Sequence, residues 1–246
     1  MKALTLFFLS LSMLAQGQEM AHKPGRFTKL VVSPKINLVL TQGNEEHVRI
    51  RYSGVDASRI QVRKNGNKLA IFLEDARVID PRKRKPGDND GPRVSRYHNA
   101  VVTAYVTYRE LEKLQVRGAE EVTFNDSLDV RKFKLKAYGQ TEINVPGIEA
   151  SYFKASLYGQ NILTIQHGQV DQQKFRLYGE NKIDTRKVKS TDVAAVIYGE
   201  GRLRVAASHE LLLTSFGEPQ IELSGGGFVQ KGIVFGRPDI RTRTQQ

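Results

Sequence analysis

The stretch YGQNIL occupies residues 158–163, and close variants recur on both sides: YGQTEI at 138–143, YGENKI at 178–183, YGEGRL at 198–203 and FGEPQI at 216–221. Aligned on the glycine, the series is Gly118, Gly139, Gly159, Gly179, Gly199, Gly217 and Gly236, spaced 21, 20, 20, 20, 18 and 19 residues apart. Four residues after each glycine stands an aliphatic: Val122, Ile143, Leu163, Ile183, Leu203, Ile221 and Ile240. Before it, apolar and polar residues alternate, as in Phe133, Leu135, Ala137 and in Phe153, Ala155, Leu157. Alternation of this kind marks a strand with one buried face, and no window sustains a helical period. A fixed repeat of this length, holding two or three short strands, is one coil of a β-solenoid. Each coil is expected to run strand, glycine corner, strand, a turn such as VPG at 145–147, then a third short strand. Equivalent positions then stack about 4.8 Å apart in parallel, in-register sheets. Glycine suits a corner that needs a positive φ or a backbone approach that a Cβ would block.

Outward from this region the pattern loosens. Over 26–116 the strand candidates are KLVVS, INLVL, HVRIRYS, IQVRK, KLAIFLE and AVVTAYVTY, separated by turn-rich TQGNEE, YSGVD and KNGNK. Asn65-Gly66 predicts a tight hairpin, so antiparallel pairing is expected to cap the solenoid here. The segment DPRKRKPGDNDGPRVSR at 80–96 interrupts this half and reads as a solvated loop in preference to a nucleic-acid contact. The chain opens MKALTLFFLSLSMLAQGQ, with one lysine, an apolar run from Ala3 to Leu14 and small residues at Ala15 and Gly17. That is the pattern of a secretory signal peptide over 1–17, and no later segment approaches the ~20 apolar residues of a membrane helix. Residues 18–246 are expected to form a single exported domain with regular coils over 117–241, periplasmic or at the cell surface. The absence of cysteine excludes disulfides, thiolate metal sites and thiol nucleophiles. With 38 Lys and Arg against 26 Asp and Glu, the formal net charge is +12, which suits anionic partners such as acidic polysaccharide.

The chain resembles the putative auto-transporter adhesin, head GIN domain family. The residues that carry the resemblance are Phe27, Leu30 and Val32, then Leu69 and Ile71, then Leu111, Leu114, Val116, Gly118 and Ala119, followed by the periodic glycines. The resemblance implies a right-handed parallel β-helix, an exported location and an adhesin-like role, and it brings no catalytic residues. Where members commonly carry serine before the repeating glycine, this chain carries Tyr138, Tyr158, Tyr178, Tyr198 and Phe216.

Strand parity places the residues between the apolar ones on the outside: Lys134 and Lys136, Lys154 and Ser156, Lys174 and Arg176. A column of aromatic rings is therefore expected beside a column of basic side chains. Rings so spaced either stack on one another, or form with Lys134, Lys154, Lys174 and Arg176 a face for an acidic polysaccharide or other envelope polyanion. A third column follows the glycines, Gln140, Gln160, Glu180, Glu200 and Glu218, whose carboxylates are expected to splay into water in preference to sharing a cation or serving polysaccharide hydrolysis or lysis. Thr141, Asn161 and Asn181 are expected to form an inward polar ladder. The histidines lack metal-ligand spacing and no nucleophile motif occurs, so neither metal nor cofactor is expected. A non-catalytic binding module is the reading that follows, with a β-helix enzyme or a homo-oligomeric assembly subunit as alternatives.

Overall fold

A computed structural model of the chain describes residues 18–77, 82–83 and 94–243. The expected leader over 1–17 and most of the 80–96 segment lie outside these residues; within that segment Arg82–Lys83 pairs antiparallel with Val94–Ser95. The rest is a β-solenoid. Its broadest face stacks, in spatial order, Ile60–Asn65, Lys68–Leu73, Lys29–Val32, Lys113–Gly118, Lys132–Gly139, the later halves of Glu142–Gly159 and Ile162–Gly179, then Val188–Tyr198, Glu210–Phe216 and Phe228–Phe235. A second face begins with Gln18–His22, His47–Ser53, Val101–Tyr108 and Asn37–Gln42, and ends with Arg202–Ala206, Gln220–Ser224 and Asp239–Arg243. Apart from the capping strands the pairings are parallel, because each coil returns to the same corner in the same direction. The inward residues form one continuous core, with Phe133, Phe153 and Phe175 among its largest fully buried side chains.

The corner between these faces explains the glycine period. Gly159 has φ +114°, and a Cβ built on it would lie 2.2 Å from the carbonyl oxygen of Gly139. The same clash repeats at Gly139 against the carbonyl of Gly118 and at Gly179 against that of Gly159. That carbonyl is in use: Gly139 O accepts from the Gln160 N–H at 2.8 Å. Two residues on, the backbone turns inward around a buried polar ladder. Asn161 Oδ1 accepts from the Thr141 N–H, and Asn181 Oδ1 accepts both from the Asn161 N–H at 3.1 Å and from Asn161 Nδ2 at 2.9 Å. The last amide, Asn181 Nδ2, donates to the Tyr178 carbonyl. Each side chain thus satisfies the amide that the corner of the coil below leaves without a ladder partner.

Three features depart from the sequence reading. VPG at 145–147 is no break: Glu142–Gly159 runs through it as one strand, Val145 pairing with Ile165 and Gly147 with His167 on the next coil. Gly147 and Ile148 are consecutively buried, so the chain changes direction there while keeping its hydrogen bonds. Ser156 has outward parity but is only 3% exposed, because its in-register neighbours are the long side chains of Lys136 and Arg176. The third is the order of the first coils. Lys68–Leu73 and Val101–Tyr108 stack beneath Lys29–Val32 and Asn37–Gln42, while Lys113–Gly118 and Glu121–Phe124 stack above them. The chain lays down its second coil first, then inserts the first coil below it. The hairpin at Asn65 forms as expected, and with His47–Ser53 and Gln18–His22 it closes this end by antiparallel pairing.

Because positive φ and the close carbonyl both exclude a side chain, Gly159→Val is expected to cost well over ~1 kcal/mol. Gly159→Ala is expected to lose most of the same stability. Denaturant melts of both variants check this; unchanged midpoints would remove the corner constraint.

Candidate functional site

The outward columns of the broad face are set by register alone. Lys68 pairs with Lys29, Lys29 with Lys113, Lys113 with Lys134, Lys134 with Lys154 and Lys154 with Lys174. Six lysines therefore stand in one line across six consecutive strands, a row of roughly 24 Å at the usual strand spacing. Sequence parity identifies three of them. Lys113 was within reach, since it precedes Gly118 by five residues as Lys134 precedes Gly139. Lys29 and Lys68 carry no such signal, because no periodic glycine follows them and their coils are stacked out of chain order. Lys136 and Arg176 flank the row on the next outward column.

Among the described residues none of the six lysines has a carboxylate within ion-pair distance. Partial burial first, and the neighbouring cations second, hold Lys113 and Lys154 below the ordinary lysine range. The second face shows the opposite arrangement. Asp184, Arg204, Glu222 and Arg241 alternate in register. Arg186 reaches Asp184 at 2.7 Å and Glu222 at 3.5 Å, and Arg243 reaches Glu222 at 3.0 Å. There the chain neutralises its charges; along the lysine row it leaves them open.

The aromatic column lies beside the basic one. Tyr138, Tyr158, Tyr178 and Tyr198 stack with ring centroids 4.9 Å apart and planes within 7° of parallel. Phe216 follows Tyr198 at 4.6 Å and Phe235 follows Phe216 at 5.5 Å, while the Arg117 guanidinium covers the other end of the stack 5.4 Å from the Tyr138 centroid. Each tyrosine's two ring faces are occupied by its neighbours or by Arg117, leaving ring edges and hydroxyls toward solvent. Sugar stacking needs a free ring face, so the column offers it only at its outer end.

After the glycines, Gln140 Nε2 donates to Gln160 Oε1 at 2.8 Å and Gln160 Nε2 to Glu180 Oε2 at 3.5 Å. Glu180, Glu200 and Glu218 border a shallow depression of about 240 Å³ with Lys182 and Arg202. Lys182 and Arg202 line it from the adjacent column, and the Arg202 guanidinium donates to Gln220 Oε1 at 2.9 Å. No group of three described His, Asp or Glu side chains is placed to hold a metal ion. No described helix is long and apolar enough to cross a membrane.

Residues 26–227 match the model of the family described as putative auto-transporter adhesin, head GIN domain. No curated protein matches the sequence. Among solved structures, a putative adhesin from Bacteroides fragilis superposes with a TM-score of 0.70 at 14% identity, covering 93% of this chain and 96% of that one. A putative lipid binding protein from Parabacteroides distasonis gives 0.65 at 13% identity, covering 95% and 98%. A putative adhesin from Parabacteroides merdae gives 0.61 at 14% identity, again covering 95% and 98%. At these identities the likeness is one of fold.

The partial burial and crowding of Lys113 and Lys154 have a consequence for stability. A lysine whose folded pKa lies below its unfolded value destabilises the fold while charged, and that penalty fades as pH rises through the folded pKa. Lys113→Ser with Lys154→Ser is therefore expected to raise the melting temperature at neutral pH. The gain over the parent should shrink as pH climbs toward the ordinary lysine range. A gain independent of pH would mean that neither the burial nor the crowding of these ammonium groups is its source.

Proposed function

The chain belongs to the putative auto-transporter adhesin, head GIN domain family, and from that premise we propose that it is an exported, non-catalytic binding module whose lysine row holds a linear polyanion. The observation that carries this reading is the row itself, six in-register lysines with no carboxylate partner among the described residues. Crowding like charges on a rigid sheet works against folding, and arrangements of that kind collect at binding sites. A chain of carboxylate, sulfate or phosphate groups lying along the solenoid axis relieves the crowding at every rung. The stacked tyrosines make the neighbouring column stiff, so the row is presented without ordering on binding. Their hydroxyls lie within the same surface as hydrogen-bonding edges.

Adhesion fits this arrangement, because a repeating ligand meets a repeating face and many weak contacts add along one line. An exported face of this kind would meet the acidic polymers of the envelope. The acid row after the glycines, with Lys182 and Arg202 in the adjacent column, is read as a solvated corner and given no catalytic part.

Titrating the protein with a soluble polyuronate at two ionic strengths tests the proposal. Affinity is expected to fall as salt rises, because exposed charges are screened. Lys134→Ser, Lys154→Ser and Lys174→Ser together should lower low-salt affinity by roughly tenfold or more and flatten the salt dependence. Tyr158→Ala with Tyr178→Ala should chiefly lower the melting temperature. Binding unaffected by both salt and the triple lysine change would contradict the reading.

A further inference from the structure

The broad face does not stay basic to its end. Beyond Lys174 the lysine column continues in register as Ala194, Leu212 and Gln230. Over the last two strands four large apolar side chains are exposed beside Gln230 and Lys231: Leu212 is 40% exposed, Phe228 54%, Ile233 61% and Phe235 63%. They sit across the width of the face, Phe228 at one margin and Phe235 at the end of the ring stack, whose last ring face is open. One flat surface therefore carries a cationic row over six strands and an apolar cluster at its C-terminal end.

A polysaccharide uses the first part and, beyond the open ring face of Phe235, has no use for the second. Two other occupants are disfavoured by the same residues. A peptide adding a strand would have to pair with Phe228–Phe235, but its register with Glu210–Phe216 is broken by a bulge between Leu213 and Ser215. In addition Lys231 there takes the register position of the buried Leu213, and a bulge and an inward-facing lysine are devices that blunt a sheet edge. A second copy applied face to face would set one lysine row against another. What fits both halves is a surface with anionic headgroups over an apolar interior.

We propose that this face docks on an anionic lipid surface, the lysine row lying over phosphate headgroups while Leu212, Phe228, Ile233 and Phe235 enter the headgroup–acyl boundary. This rests on the polyanion reading above and names a lipid layer as the source of the anions. The two contributions are the ones a peripheral protein combines: charge attraction to anionic lipid, and a small apolar area buried at interfacial depth. Interfacial depth also leaves the open edge of the last strand in reach of water and headgroups, which the hydrocarbon core would not allow.

The sequence contains no tryptophan, so Phe228→Trp in the full chain places a single indole at the apolar cluster. With phosphatidylglycerol vesicles its emission is expected to shift to the blue and to be quenched by lipids brominated near the headgroup, and neither should occur with phosphatidylcholine vesicles. Adding Lys134→Ser, Lys154→Ser and Lys174→Ser should weaken the response on the order of 100-fold. Ile233→Ser with Leu212→Ser should reduce it while leaving polyuronate binding unchanged. Polyuronate binding without any indole response overturns the lipid proposal and leaves the polyanion reading standing. An equal response to neutral vesicles also overturns it, since the lysine row would then play no part. Failure with both probes removes both readings.

Discussion

Each coil is locked to the next where a glycine lets its backbone pass within contact distance of the carbonyl one coil below. At Gly159 the missing Cβ would lie 2.2 Å from the Gly139 oxygen. Once that corner is closed, register is no longer free, because a slip of one residue would place a side chain against the carbonyl. In-register stacking then sets everything on the broad face. Identical residues at fixed offsets from the glycine become continuous columns: lysines in one, rings in another, amides in the buried ladder of Asn161 and Asn181.

The same constraint shows why the columns differ in cost. Stacked rings attract, and stacked amides satisfy one another through the pair Asn161 Nδ2 and Asn181 Oδ1. Stacked ammonium groups repel. On the second face the chain meets this difficulty by alternating Asp184, Arg204, Glu222 and Arg241 from strand to strand. It makes no such alternation along Lys68, Lys29, Lys113, Lys134, Lys154 and Lys174. A fold able to alternate its charges, yet keeping six lysines in an uncompensated row, directs attention to what lies outside the protein.

Periodicity made the regular coils legible in the sequence: the corner glycines, the inward Asn161 and Asn181 and the outward tyrosines follow from spacing and parity. Three kinds of feature escaped it. Ser156 has outward parity, but its burial depends on the length of the Lys136 and Arg176 side chains on adjacent coils. Gln173 has inward parity and is buried, held by Ser190 at 2.5 Å and Thr185 at 3.1 Å, partners 17 and 12 residues away that no local pattern reveals. Half of the lysine row depends on Lys68–Leu73 stacking beneath Lys29–Val32, a long-range choice made where the glycine period has not yet begun. The apolar end of the face was half legible: Phe235 precedes Gly236 as Phe216 precedes Gly217, whereas Phe228 carries no such signal.

The central claim is that the lysine row is an open cationic site, and the protonation of individual lysines reads it most directly. Side-chain NMR titration of the free protein should find Lys113 and Lys154 losing their protons below the ordinary lysine range, as burial and neighbouring cations dictate. Adding a soluble polyanion should move both upward and leave the side-chain signals of Lys187 and Lys189, which line a separate depression, unperturbed. An equal shift at all lysines, or none at Lys113 and Lys154, would contradict it.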